Sequence, residues 1–116
     1  MKTAIAMIVA DAMGNKRLEK LQQFLEANPN DCFVRYGLAQ EYVKADELDR
    51  AIDEYKRIFE INPDYQAAYY HAGQAYQKLG KAAEAKAAYE RGIETSLRTG
   101  DLHARSELEA ALAELR

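Results

Sequence analysis

Apolar and small residues recur at steps of three and four along most of the chain, as in Leu38, Ala39 and Tyr42, and again in Leu48, Ala51, Ile52, Tyr55, Ile58 and Phe59. That spacing gathers them on one side of a helix with 3.6 residues per turn, whereas a strand would alternate with a period of two. The runs therefore predict amphipathic helices. Breaks fall between them: Asp46 is placed to cap the second helix of one unit, and Gly80 to end the first helix of the next. Asn28-Pro29 and Asn62-Pro63 stop helices, and Asp31 and Asp64 stand where the chain restarts. Each unit reads as a helix-turn-helix hairpin.

Sliding the chain against itself brings out one offset, of 34 residues. Asn28-Pro29 meets Asn62-Pro63, Tyr36 meets Tyr70, Gln40 meets Gln74, Tyr42 meets Tyr76 and Lys44 meets Lys78. The register continues without a gap through Ala51 with Ala85, Tyr55 with Tyr89, Arg57 with Arg91 and Glu60 with Glu94. Full repeats span residues 32–65 and 66–99. Upstream, Leu18, Leu21, Phe24, Leu25 and Ala27 lead into Asn28-Pro29 as Ile52, Tyr55, Ile58, Phe59 and Ile61 lead into Asn62-Pro63, so residues 16–31 form a half repeat.

One step further back, Ala4, Ile5 and Ile8 fall at the positions of Leu38, Ala39 and Tyr42, which predicts a degenerate first helix within residues 1–15. A secretory leader cut before Met13, a start misassigned ahead of Met13, or a segment foreign to the native chain are the alternatives. Downstream, Gly100 ends the last apolar turn, and Asp101 opens a stretch with Leu102, Leu108, Ala111, Leu112 and Leu115 on one side. Residues 100–116 are expected to be a capping helix whose polar outer face closes the open end of the stack.

A 34-residue hairpin with W-x2-L-G-x2-Y, then A-x3-F, then P resembles the tetratricopeptide repeat. The second unit supplies Tyr69, Ala72-Gly73, Tyr76, Ala85 and Tyr89 at those spacings, and the first supplies Arg35, Leu38-Ala39, Tyr42, Ala51, Tyr55 and Pro63. Leu97 stands where the second unit's closing proline belongs. The resemblance covers residues 32–98 well and residues 17–31 as half a unit. It implies an all-α fold, a right-handed superhelical stack of antiparallel helix hairpins with a C-terminal capping helix. Ala39, Gly73, Ala51 and Ala85 are the expected sites of close helix approach, with tyrosines filling the gaps between hairpins.

With Leu38, Ala39 and Tyr42 on the packed face, Phe33, Tyr36, Gln40, Val43 and Lys44 point to another side of the first helix. Ala67, Tyr70, Gln74, Gln77 and Lys78 do the same in the next unit, with His71 beside them. In the resembled family these positions line a concave groove that takes a peptide. Three parallel rows result: flat tyrosines offering apolar area, glutamines bonding to a peptide backbone, and lysines attracting carboxylates. The competing explanation is copying, since duplicated repeats share surface residues without selection for binding. Chaperone-docking members of that family grip a C-terminal carboxylate with a lysine and an asparagine on the first groove helix. Tyr36 and Gln40, and Lys2 and Ala6, stand there instead, so that clamp is incomplete, and His71 and Lys78 remain to meet an acidic ligand.

Other chemistry is poorly supported. Cys32, His71 and His103 lack the paired spacing of zinc sites, and Met13-Gly14-Asn15-Lys16 lacks the second glycine and the hydroxyl of a phosphate loop. Ser96 and Ser106 have no nucleophile-elbow motif, and Asp46, Asp49, Asp53 and Glu54 read as caps and a solvated helix face. No enzyme activity, metal or cofactor is expected. Charged residues make up 30% and apolar residues 48% of the 116, an ordinary globular balance for one domain. A formal charge of -3 and a pI near 5.4 leave no basic field for nucleic acid. The run Ala4 to Ala10 falls far short of the roughly 20 residues that span a bilayer.

A lone cysteine fits a reducing compartment, so the expected location is cytoplasmic, or periplasmic or secreted if residues 1–12 are a leader. The reading is a non-enzymatic interaction module that holds a peptide or partner protein; its rival is an assembly protein that self-associates through its apolar first segment or an exposed stack end.

Overall fold

The computed structural model describes residues 15–115; the expected first helix or leader within residues 1–12 lies outside them. Six helices and no strand are present among the described residues: α1 Lys16–Ala27, α2 Cys32–Lys44, α3 Leu48–Ile61, α4 Gln66–Lys78, α5 Ala82–Thr99 and α6 Leu102–Glu114. Each helix packs on the next in sequence, and α6 also reaches back to α4. α2 with α3 and α4 with α5 are the two full hairpins, α1 is the preceding second helix, and α6 lies over the last hairpin. The architecture is the all-α solenoid that the repeat predicted.

Within each hairpin, a tyrosine of the second helix fills the gap left by small residues of the first. Tyr55 and Tyr89 are fully buried, as are Ala39, Ala51, Ala85 and Ala68. A methyl group at Gly73 would fall inside the ring of Tyr89, so that residue's lack of a side chain is what admits the ring. Gly92 has the same role in the next layer, where an added Cβ would lie 2.8 Å from Tyr69 Cβ and 2.9 Å from Leu108 Cδ1.

Position 4 of the repeat shows two chemistries doing one job. Arg35 donates through Nη2 to the Pro29 carbonyl at 2.8 Å, and Tyr69 donates its hydroxyl to the Pro63 carbonyl at 2.7 Å. Both tie the first helix to the proline turn before it. Arg35 also pairs with Glu54 at 2.7 Å, whereas Tyr69 stacks on Phe59 with centroids 4.2 Å apart.

Two expected capping details change, and so does one member of the α6 stripe. Asp46 does not cap α3; it adopts φ 60°, the left-handed conformation that Gly80 adopts at φ 75° one repeat later. Both residues let the chain reverse so that the following amide, of Glu47 or Lys81, can bond back to the carbonyl of Tyr42 or Tyr76 at 2.8 and 2.9 Å. Asp31 caps α2 as expected, accepting from the Val34 amide at 3.1 Å. Asp64 does not cap α4, because it aligns with Asn30; Tyr65 occupies the cap position, and Asp64 instead pairs with Arg98 at 2.7 Å. Leu102 is 75% exposed, so the buried stripe of α6 is carried by Leu108 and Ala111, with Leu112 and Leu115 half-buried.

The two tight glycine contacts give opposite expectations from a third. Gly73→Ala should lower stability by about 1–3 kcal/mol through overpacking against Tyr89, although alanine is the better helix former. Gly37→Ala meets Leu21 no nearer than 3.6 Å and should stabilise by up to about 1 kcal/mol. Denaturant midpoints of the two variants measure this; a neutral Gly73→Ala would mean that the Tyr89 ring is not held in the gap.

Candidate functional site

The face named from the sequence is built from the first helices α2 and α4. Tyr36 is half-buried and lies against Tyr55 of its own hairpin, Tyr65 of the following turn and His71 of α4, the last with centroids 5.6 Å apart in an edge-on arrangement. His71 in turn meets Tyr70 edge-on at 5.3 Å, and Tyr70 lies 6.3 Å from Tyr89. A continuous aromatic row, Tyr36–His71–Tyr70, therefore crosses from one repeat to the next. Edge-to-face contact at these distances suits rings whose faces are electron-rich and edges electron-poor.

The glutamines are not free. Tyr55 donates its hydroxyl to Gln40 Oε1 at 2.5 Å. Gln74 Nε2 donates to the Tyr89 hydroxyl at 3.0 Å, and that hydroxyl donates to Gln77 Oε1. Each buried tyrosine thus presents its only polar atom at the groove wall and fixes an amide there. The remaining half of each amide, the Nε2 of Gln40 and Gln77 and the Oε1 of Gln74, has no hydrogen-bond partner among the described residues and is not sealed in the interior. The signal for these bonds was in the sequence: Gln40 with Tyr55 and Gln74 with Tyr89 share a separation of 15 residues. Burial pushes the Tyr89 phenol up to about 12, Tyr70 adding to the shift and the Gln74 bond opposing it; Tyr55 is raised further by burial.

The remaining predicted residues divide. Val43 is half-buried and packs toward Leu48, Ile52 and Ala75, so it serves the joint between hairpins. Lys44 is exposed but pairs with Glu41 at 3.1 Å, and Glu41, itself buried, also meets Arg17 at 3.4 Å. Lys78 is exposed at the C-terminal end of α4. Phe33 stands apart from the aromatic row: it is 76% exposed and, with Leu21, Phe24 and Val34, lines a separate apolar groove of about 610 Å³ between α1 and α2.

The sequence predicts α6 as a capping helix but does not place it at the site. A cleft of about 310 Å³ lies where α6 meets α4, lined by Gln66, Ala67, Tyr70, His71, Asp101, His103, Ala104, Glu107 and Leu108. Among the described residues no group of three or more His, Cys, Asp or Glu is arranged to hold a metal, and no helix is long and apolar enough to cross a membrane.

Stacked antiparallel hairpins, with small residues in the joints and a polar-aromatic row along the first helices, define a helical repeat protein. Models described as TPR repeat and tetratricopeptide repeat match residues 39–80 and 66–98. A TPR repeat-containing protein of Pseudomonas aeruginosa is 32% identical over 98 residues, which cover 84% of this chain and 93% of that one. The chain belongs to the tetratricopeptide repeat family. A tetratricopeptide repeat domain protein of Salinibacter ruber, solved by NMR, is 38% identical with a TM-score of 0.72, over 76% of this chain and 89% of that chain. The TPR2B domain of yeast Sti1, solved in complex with an Hsp70 peptide, shares the fold at a TM-score of 0.80 and 15% identity, over 99% of this chain and 96% of that one.

Two outcomes follow from the site's chemistry. Tyr55→Phe and Tyr89→Phe should each cost about 1 kcal/mol, and Tyr89→Phe should cost more because two amides lose their partner; denaturant unfolding measures both, and equal wild-type stability would mean that the bonds carry no net energy. Burial holds the His71 imidazole below its ordinary 6.5, with Glu107 pulling the other way. The unfolded chain then takes up the proton first, so this stabilisation is present above about pH 6.5 and is lost as pH falls through the folded value. Between about pH 7.5 and about pH 5.5 the melting temperature should fall further in the native chain than in His71→Asn; parallel slopes would show that His71 is not shielded.

Proposed function

We propose that this chain is a non-catalytic interaction module that holds a peptide or partner protein against the concave face of α2 and α4. The observation that carries the reading is the aromatic row Tyr36–His71–Tyr70, flanked by glutamine amides that buried tyrosines hold in place by one half, the other half having no partner among the described residues. Rigid aromatic faces give contact area at low entropic cost, and pre-set amides pair with a peptide backbone without first being ordered.

The relatives support the class. Besides the Sti1 domain, the first TPR of Spaghetti (RPAP3), solved bound to the HSP90 peptide SRMEEVD, has the same fold at a TM-score of 0.72 and 22% identity, over 95% of this chain and 92% of that one. The partner of this chain is a proposal of class only. Tyr36 and Gln40 stand where the chaperone-tail clamp needs a lysine and an asparagine, which argues for a different ligand. A cytoplasmic setting suits a module with one unpaired cysteine, and it belongs to the same proposal.

The test is affinity capture from the native cell on the intact chain beside a Tyr36→Ala, Tyr70→Ala double variant whose folding is checked by circular dichroism. Removing two aromatic anchors should weaken a captured partner at least about thirtyfold. Undiminished capture by a folded double variant would remove this face from consideration. Self-association that persists in the double variant, seen by sedimentation at several concentrations, would favour the assembly reading instead.

A further inference from the structure

We propose that the cleft between α4 and α6 accepts a cationic side chain, the ammonium or guanidinium of a basic residue on the bound partner; this rests on the groove reading above and gives its ligand a charge. The cleft opens beside Tyr70 and His71, at the end of the aromatic row, so a chain lying along that row would reach it.

Its lining is rich in acceptors. Asp101 and Glu107 contribute carboxylates, and no lysine or arginine stands among the described residues that line it. Asp101 uses one oxygen, Oδ1, to cap α6 at the Ala104 amide, 3.0 Å away. Among the described residues Glu107 pairs with His103 alone, at 3.0 Å, is half exposed, and also acts on the charge of His71. The nearby basic side chains are occupied: Arg98 pairs with Asp64 at 2.7 Å and Arg105 with Glu109 at 3.1 Å.

A further acceptor is fixed in the wall. Thr99 donates its only hydroxyl proton to the Thr95 carbonyl at 2.9 Å, so its oxygen can only accept from Gln66 Nε2, also at 2.9 Å. That sets the Gln66 amide and leaves its Oε1 buried without a donor among the described residues. The uncompensated negative end of that dipole adds to the field of the two carboxylates.

The shape fits the same ligand. Ala67, Ala104 and Leu108 give apolar lining for a methylene stem, Tyr70 offers a ring to a cation, and the exposed carboxylates of Asp101 and Glu107 are available to the charged head. The volume, about 310 Å³, lies at the small end of ligand sites, roughly 300–1,000 Å³, and so suits one side chain better than a folded element. Lys78 closes the far end of α4, about 18 Å along the helix, and repels a basic residue placed there.

The experiment is an NMR titration of the isotope-labelled chain with N-acetyl-arginine methylamide and with its neutral counterpart, N-acetyl-citrulline methylamide, at neutral pH and low salt. Saturable shifts centred on Gln66, Tyr70, Ala104 and Glu107 are expected with the arginine compound. They should weaken about fivefold with citrulline, in Glu107→Gln, and in Asp101→Asn, which keeps the cap while removing the charge. Equal response to the two compounds, shifts centred elsewhere, or no saturable shift would overturn the proposal. None of these outcomes touches the groove reading, which the Tyr36 and Tyr70 comparison decides separately.

Discussion

A buried tyrosine on the second helix of each full hairpin is the constraint on which the rest of this structure depends. Its ring needs a gap in the facing first helix, which Gly73 provides for Tyr89, and its hydroxyl cannot be left without a partner in a dry interior. The ring reaches into the gap in the first helix, and the buried hydroxyl is satisfied by amides carried on that helix. There it meets Gln40 in one repeat and Gln74 with Gln77 in the next. Packing and recognition surface are thereby joined: the residue that sets the spacing of the two helices also orders the amides of the groove. A substitution that loosened the core would disorder the face, even though it touched no ligand.

This explains why the duplicated rows do not by themselves argue for binding. Copying carries Gln40 and Tyr55 together to Gln74 and Tyr89, so both glutamines meet a tyrosine hydroxyl. That hydrogen bond gives the glutamines a structural reason to recur, which weakens recurrence as evidence for binding. The stronger evidence is what recurrence cannot supply: His71 has no histidine counterpart at Gly37, yet it is the ring that joins Tyr36 to Tyr70.

Much of the fold was legible because a repeat reports its own periodicity twice. The hairpins, the small-residue joints and the order of elements came from matching positions such as Ala51 with Ala85 and Tyr55 with Tyr89. Local capping was less legible where two residues of different character share one backbone role. Asp46 reads as a cap by type, but its repeat partner Gly80 marks the position as left-handed. The site was legible as a face and not as a set of partners. Helical wheels place Val43 and Lys44 beside Gln40, but they cannot show that Val43 is consumed by packing or that Lys44 is paired with Glu41.

The α6 cleft was illegible for a specific reason. α5 runs from Ala82 to Thr99, 18 residues against the 14 of α3, so the chain leaves the repeat register about one turn late. Gly100, in the left-handed conformation at φ 79°, ends α5, and α6 starts at Leu102, two residues later than the repeat register carries the start of α4. The extra turn carries Thr99 to Gln66, bridging the two ends of the second repeat, and Arg98 to Asp64 in the turn before it. It also brings Asp101 and Glu107 beside the aromatic row. The departure from the repeat thus adds to the features, such as His71 in place of Gly37, that make the two ends of the groove unlike. A perfectly periodic stack would offer a ligand the same chemistry at every step and would set neither its register nor its direction.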